Sequence, residues 1–473
     1  MATRVVVLGG GFAGLATVLA LARDRHSVTL IERDPLEAGE PLASWRWPRS
    51  GIPHFLQPHA FVPGGRRELR EGFPDVYQAL LAAGARDVDL RPKIVGPVRE
   101  EDQELAYFAA RRPLIEWALR RAVLAEPGIR VMSGVQASGL DGIPGDPPRV
   151  SGVRVGPGAI ESDLVIDAMG RRSPMDSWIR ALGGREVERR ATECGILYYS
   201  RYYHVRDGES LPDGPWLPGP RGDLGYAGYS SFPGDNRTFA AVLAIPPGEA
   251  ELKGLRHTAA FEAAVAAIPT LRAWTDPSVS EPVTEVAAMG SLQNAIRGRA
   301  GDDPAAIGVI GVGDAVCHTD PAMALGLTLA LLHARELAHT LREHREPGDA
   351  ARAFDAAIRP AIEERFTYAS EMNASRTRQW AGGTVDVARR DGGDYALFTM
   401  VAGSAAALAD GDVLRRVVRR NTLLEPLGVL DGDPVLLDRI ERLFGDLMSK
   451  PRPRPGPSRE EMLGLIREAT APR

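Results

Sequence analysis

The chain has 473 residues, 44% hydrophobic and 25% charged, with a net charge of −5. That length exceeds what one ordinary core organises, so two or three lobes are expected. Charges of both signs are scattered, which argues against a nucleic-acid partner, and two cysteines, Cys194 and Cys317, are too few for a disulfide framework or a cysteine-built zinc site.

Met1 to Leu8 runs straight into a glycine turn without an apolar segment and cleavage site, so it reads as a first strand, Arg4 to Leu8, rather than a leader. An Ala/Leu-rich helix to about Arg25 and a strand from Val28 to Glu32 complete a βαβ unit within about thirty residues. Leu36 to Pro63, rich in Pro, Trp, His and Gly, is a long structured loop of the type that carries function. Arg67 to Ala85 and Pro113 to Leu124 are predicted helices. Strands at Arg149–Val155 and Ala159–Asp167 bring the chain back toward the nucleotide sheet. Ile196–Val205, Leu224–Phe232 and Arg237–Ile245 are antiparallel-sheet material, the last two joined by the turn Pro233-Gly-Asp-Asn236, and Pro282–Met289 is a further candidate strand. Ile307–Gly311 is a buried strand, Pro321 to about Arg342 a helix, and nearly everything after Gly348 is helical. A linker at Pro451–Pro457 precedes a last helix that Ser458 and Glu461 open as a capping box. The longest apolar stretches, Pro321–Ala334 and Leu397–Ala409, fall short of the ~20 residues of a membrane span, and a cytoplasmic location is the default expectation.

Gly9-Gly10-Gly11-Phe12-Ala13-Gly14 fits the G-x-G-x-x-G pattern. Gly9 serves the tight turn, Gly11 the approach of backbone amides to a pyrophosphate, and Gly14 the close contact of helix and strand. Glu32 ends the second strand 18 residues beyond Gly14, where its carboxylate accepts from both ribose hydroxyls and disfavours a 2′-phosphate; Arg33 adjoins it. This constellation predicts dinucleotide binding but does not choose between FAD and NAD.

Two downstream segments make that choice by resemblance. Asp163-Leu-Val-Ile-Asp-Ala-Met-Gly-Arg-Arg-Ser173 resembles the D-A-x-G-R-x-S segment of FAD-dependent monooxygenases, and Gly313-Asp314-Ala315 with Pro321 resembles their G-D-A…P segment. The resemblance is to the para-hydroxybenzoate hydroxylase fold, leaning toward its polyketide-epoxidase and styrene-monooxygenase-like branch through Gly51-Ile-Pro53, His59 and Gly64-Gly65. It implies an α/β chain: a discontinuous Rossmann-type FAD-binding domain (1–190 and 291–345), an inserted antiparallel substrate sheet (191–290) and a helical C-terminal region (346–473). It also implies that Asp314 binds the ribityl chain, that Arg112 approaches the phosphate and ribityl region, and that the helix carrying Gly326 and Leu327 points its N-terminus at the flavin. Three positions depart from the family pattern: Cys317 stands where its histidine falls, with His318 one residue late, Ala324 stands where a glycine lies against the ring, and Thr328 stands where its asparagine falls.

The function so implied is insertion of one oxygen atom from O2, through a flavin C4a-(hydro)peroxide, into a bulky aromatic or polyene- or polyketide-like small molecule. Electrons come from NAD(P)H binding transiently or from a separate flavin reductase, because no second G-x-G-x-x-G follows mid-chain. Period-two geometry puts Tyr198, Ser200, Tyr202 and His204 on one strand face, a candidate substrate surface, with Tyr226 and Tyr229 as further candidates. His59, Tyr202 and His204 are the candidate catalytic side chains, His54 and Gln57 share the early loop with His59, and Arg46 and Arg49 are candidate phosphate contacts. No metal site is expected. The alternatives are a flavin-linked reductase of prenyl groups, a flavin-dependent halogenase and a non-catalytic flavin-binding protein. The single W-x-W, Trp45-Arg46-Trp47-Pro48, comes too early for the halogenase signature.

Overall fold

The computed structural model describes residues 3–47, 49–299 and 303–471, so Met1 and Pro48 of the sequence motifs lie outside the described residues. Its organising element is a five-stranded, all-parallel sheet in the order Val309–Gly311, Leu164–Asp167, Arg4–Leu8, Ser27–Glu32, Ile129–Ser133. Four of these strands are short apolar runs largely buried on both faces, as parallel strands are, while the edge strand Ile129–Ser133 is half-buried to exposed. The helices Phe12–Arg23, Arg112–Ala125 and Gly326–Glu343 share one core with the sheet. Four of the expected segments are divided. The helix expected over Arg67–Ala85 is two, Pro63–Gly72 and Pro74–Ala82, because Pro74 cannot donate and pushes Phe73 out of the helical region. The strand expected over Ala159–Asp167 is also two: Gly158–Glu161 pairs with Arg149–Val155 in a three-stranded antiparallel sheet, and Leu164–Asp167 joins the parallel one. Pro282–Met289 yields Ser280–Pro282 and Ala287–Met289, both paired with Leu197–Val205. The helix expected from Pro321 starts at Gly326, after a short 3-10 turn over Pro321–Met323.

The second large sheet is six-stranded and antiparallel, with Leu197–Val205 between Thr238–Ile245 and Ser280–Pro282. Alternation along Leu197–Val205 sends Tyr199, Tyr203 and Val205 into a core with the helices Thr258–Ala267 and Pro269–Thr275. Those two helices, inside the segment read as sheet, escaped the sequence analysis. The C-terminal region is helical as expected. Its first helix, Pro347–Trp380, runs 34 residues, while Tyr395–Ala407, Gly411–Asn421 and Pro434–Met448 form a separate core. The last helix, Arg459–Thr470, carries the Ser458–Glu461 capping box and packs with the substrate-sheet helices through Met462, Leu463 and Ile466. The α/β class, with parallel and antiparallel sheets and C-terminal helices, is thus the one the sequence implied. No helix of the described residues is long and apolar enough to cross a membrane.

One buried ion pair ties the two large sheets together. Asp235, in the turn between Gly228–Pro233 and Thr238–Ile245, accepts from the Arg111 backbone N–H at 2.6 Å and from its Nε and Nη2 at 3.0 and 2.6 Å. Arg111 caps the helix that Arg112 opens, so the antiparallel hairpin holds that helix end in place. Removing one member of such a pair strands the other charge. Asp235→Ala is therefore expected to destabilise the protein by about 3 kcal/mol, read as a lower midpoint in chemical denaturation with an unchanged slope.

Candidate functional site

A cavity of about 490 Å³ opens along the edge where the parallel strands end. Its walls include Gly9 and Gly11 after the first strand, Arg33 and Asp34 after the second, Gln136 after the third, Ala168 to Arg172 after the fourth, and Asp314 after the fifth. Ligands of open α/β sheets bind at this edge because every βα turn faces it.

The glycines have separable roles. Gly9 sits at φ +102°, and a Cβ there would lie 2.7 Å from the Ala168 carbonyl oxygen. At Gly14 a Cβ would lie 1.8 Å from the Gly9 oxygen, which is the close helix–strand contact expected of it. Gly11 has an ordinary φ of −78°, and a Cβ would meet only Ile52 Cδ1, at 3.5 Å, while the residue itself lines the cavity. Gly11, Phe12 and Ala13 bring the start of helix Phe12–Arg23 to the cavity with no side-chain cap and no acidic residue in the first turn. Helix Gly326–Glu343 starts at the same cavity through Leu325, Gly326 and Leu327, also without a side-chain cap or first-turn acid. Two sets of orphan amides with partial positive charge thus face one space.

Glu32 lines the cavity and is buried, accepting from the backbone N–H of Gly10 and of Asp34. Behind it lies a cluster the sequence did not reveal. Arg49 Nη1 lies 3.2 Å from Asp34 and 3.7 Å from Glu32, and its Nε is 3.4 Å from Glu116. Arg112 Nε donates to Glu116 at 2.9 Å, and Arg120, whose pKa burial lowers to about 10, lies 3.9 Å over the Trp47 ring. Arg49 is therefore a buried network member at the cavity wall; Arg46 is exposed and does not line it. Arg33 is exposed at the rim.

Arg112 lines the cavity, and its Nη1 also donates to His54 Nε2 at 2.8 Å and to His59 Nε2 at 3.1 Å. His59 Nδ1–H donates to the Gln57 carbonyl at 2.8 Å, so both His59 nitrogens are engaged. Burial, reinforced by the Arg112 charge, pushes His59 down to about 3 and lowers His54 further. His59 is placed as a neutral partner of Arg112, an arrangement unlike that of a proton carrier near pH 7.

At the other end, Gly313 has φ +57°, a Cβ there would lie 2.7 Å from the Ala13 Cβ, and its N–H donates to His333 Nδ1 at 3.0 Å. The Asp314 side chain lines the cavity and accepts no hydrogen bond among the described residues. Cys317 is a buried core residue whose thiol burial pushes up to about 12, and His318 faces the cavity with Nδ1 bonded to the Asp314 carbonyl. Pro321 opens the short turn, and Ala324 ends it in the left-handed region, φ +54°, which costs an alanine about 1 kcal/mol. Asp167 and Ser173 of the D-A-x-G-R-x-S segment bond to each other at 2.6 Å, closing the turn that presents Gly170 and Arg171 to the cavity.

The candidate substrate surface is placed differently from the expectation. Tyr198 and Ser200 stand one layer back, Tyr198 OH donating to Asp320 at 2.7 Å and Ser200 OH to Gln57 Oε1 at 2.8 Å, and it is Asp320 and Gln57 that line the cavity. Tyr202 packs its ring edge-on to Trp45, 5.2 Å away, and His204 pairs with Thr238 and Glu281 at the far end of the strand; neither lines the cavity. Tyr226 donates to the Pro457 carbonyl, and Tyr229 faces the helical core. The strand begins at Gly228 rather than Leu224, and its alternation gives the cavity Phe232 instead; Met289 joins it. Among the described residues no acid, histidine and cysteine cluster suits a metal.

Two helix N-termini for the pyrophosphate and the flavin ring, Glu32 for the ribose and an open Asp314 for the ribityl chain fit FAD. Gly11→Ala should leave the melting temperature of the protein without flavin unchanged and weaken FAD binding about tenfold or more, since the added methyl enters only the cavity; titration with FAD checks this. Burial holds His333 down at about 4 against about 6.5 in the unfolded chain. Its contribution is complete above pH 6.5 and is lost as pH falls toward 4, about 3 kcal/mol in all. His333→Gln is expected to lose that much less stability than wild type between pH 7 and pH 4, measured by denaturant titration at each pH.

Residues 4–127 match the family of FAD dependent oxidoreductases, DAO. Protein Rv3254 of Mycobacterium tuberculosis is 25% identical over 367 residues, 71% of this chain and 72% of its own. Squalene monooxygenase of Rattus norvegicus is 31% identical over 139 residues, a segment of 28% of this chain and 22% of that enzyme. PqsL, a probable FAD-dependent monooxygenase from Pseudomonas aeruginosa, superposes with a TM-score of 0.57 at 16% identity, over 81% of this chain and 99% of its own. The flavin-dependent halogenase CmlS superposes with a TM-score of 0.58 at 18% identity, over 99% of this chain and 77% of its own. The chain therefore carries an FAD-dependent-oxidoreductase segment within a monooxygenase-like fold, and the protein is an oxidoreductase.

Proposed function

We propose that the protein is an FAD-dependent monooxygenase that places one oxygen atom from O2 on a bulky aromatic or polyene- or polyketide-like small molecule, by hydroxylation or epoxidation. The observation that carries this reading is that one cavity joins the two uncapped helix ends to side chains of the antiparallel sheet: Phe232 and Met289 share it with Asp314 and Gly326. The names of squalene monooxygenase and PqsL among the relatives support it. FAD, when bound, supplies two-electron chemistry and the activation of O2.

The chain's own part is to bind, orient and exclude water. Amides at Gly11 to Ala13 hold the pyrophosphate, Glu32 the ribose and Asp314 the ribityl chain. The N-terminus of helix Gly326–Glu343 favours negative charge on a reduced ring. Phe232, Met289 and Leu325 give the cavity apolar walls that exclude water from the reacting centre. Electrons arrive from NAD(P)H bound transiently or from a flavin reductase.

A flavin-dependent halogenase is a second reading, favoured by the likeness to CmlS over nearly the whole chain. Against it, no lysine is among the described residues that line the cavity. Under 18O2, with NADPH, NADH or a flavin reductase and a panel of polyenes and aromatic polyketides, the proposal expects a product carrying one 18O atom. A chlorinated product in the presence of chloride, or a saturated double bond without oxygen uptake, would contradict it.

A further inference from the structure

The short turn that leads into helix Gly326–Glu343 begins at Asp320, which lines the cavity and is 1% exposed. Its carboxylate is met by four donors from three parts of the chain. Oδ1 accepts from Tyr198 OH at 2.7 Å and from the Ala322 N–H at 2.9 Å. Oδ2 accepts from Asn373 Nδ2 at 2.5 Å and from Arg376 Nη2 at 2.8 Å. The Asp320 N–H donates to Asn294 Oδ1 at 2.8 Å, and Asn294 in turn donates to Asn373 Oδ1 at 2.8 Å. Arg376 Nη2 also donates to the Cys194 carbonyl at 2.7 Å, and its guanidinium lies 5.3 Å over Trp380. Burial holds the Tyr198 phenol well above its ordinary pKa, so it stays a donor.

Asn373 and Arg376 stand one turn apart on Pro347–Trp380, the long C-terminal helix, outside every segment that the dinucleotide motifs occupy. They are buried and their bonds to Asp320 are direct. What they hold is the start of a tense turn: Asp320 caps Pro321–Met323, Ala324 follows in its left-handed conformation, and two residues later the helix starts at the cavity. A left-handed alanine persists only where its surroundings determine it. The ion pair also cancels a carboxylate charge at the cavity wall, where a free anion would oppose charge on a reduced ring.

We propose that Arg376, with Asn373, is a positioning residue of the cofactor site: through Asp320 it fixes where the N-terminus of helix Gly326–Glu343 meets the cavity, and so sets how much more tightly the site holds reduced than oxidised FAD. This rests on the FAD reading above. Loss of the clamp acts in one direction twice, by loosening the helix end and by baring the Asp320 charge, and both disfavour the reduced form.

The test is the midpoint potential of the bound flavin, compared with free FAD, in the full-length holoprotein. Arg376→Met is expected to lower the ratio of reduced to oxidised affinity about tenfold or more, about 30 mV for a two-electron couple. Arg376→Lys, which keeps a cation for Asp320, is expected to recover most of the shift. An Arg376→Met protein that binds FAD at the wild-type potential overturns the proposal, as does a lysine variant shifted as far as the methionine one. Should Arg376→Met fail to fold, Tyr198→Phe removes one of the four donors more gently; a shift of about threefold in the same direction supports the clamp and an unchanged potential overturns it. A wild-type protein that takes up no FAD contradicts the function proposed above, whereas an unshifted variant beside an FAD-loaded wild type contradicts only the clamp.

Discussion

A dinucleotide carries its charge in the middle of an extended molecule, so its site must offer many donors while keeping its own side chains out of the way. Here five parallel strands end on one edge, and each hands its chain to a turn that faces the same space. In the function proposed, backbone amides do most of the donating. Gly11 leaves the space clear, Gly9 makes the turn, and Gly14 lets the helix lie against the strand closely enough for its first amides to reach the cavity. The rest of the molecule holds that edge in shape.

Buried ion pairs do much of the holding. Glu32, Asp34 and Glu116 are interleaved with Arg49, Arg112 and Arg120 behind the Glu32 end of the cavity. Asp235 fixes the start of the helix that carries Arg112, and Asp320 is held by the long C-terminal helix. The pairs Arg49–Glu116, Arg111–Asp235 and Arg376–Asp320 link segments far apart in the chain, whereas Arg112–Glu116 and Arg120–Glu116 lie within one helix, and each lies beside the cavity or on an element that shapes it. Buried ion pairs are weak sources of net stability compared with apolar packing, but they fix geometry, because a misplaced partner leaves an unmatched charge.

The nucleotide half of this arrangement was legible because its determinants are local. A β-branched run, three glycines at fixed spacing and an acid at the end of the next strand each require one another within about thirty residues. The G-D-A segment was singled out by its resemblance to FAD-dependent monooxygenases alone. What escaped depends on contacts across the chain. The turn Pro233-Gly-Asp-Asn236 was read as a turn, yet nothing local reveals that Asp235 takes Arg111. Strand alternation gave the faces of Leu197–Val205 correctly, but it does not say what covers a face. Gln57 and Asp320 stand between Ser200, Tyr198 and the cavity, while Phe232 and Met289 come to it from other strands of the same sheet. Phe73-Pro74 was a local signal for the break between two helices, since proline lacks the N–H that a continuing helix needs.

That this edge holds FAD is tested by the identity of the flavin the protein carries. Protein purified and then saturated with FAD, freed of excess and denatured, should release about one FAD per chain by chromatography and absorbance, and neither FMN nor NAD should compete for the site. Protein that retains no flavin after saturation, or that loses it to NAD, would contradict the account.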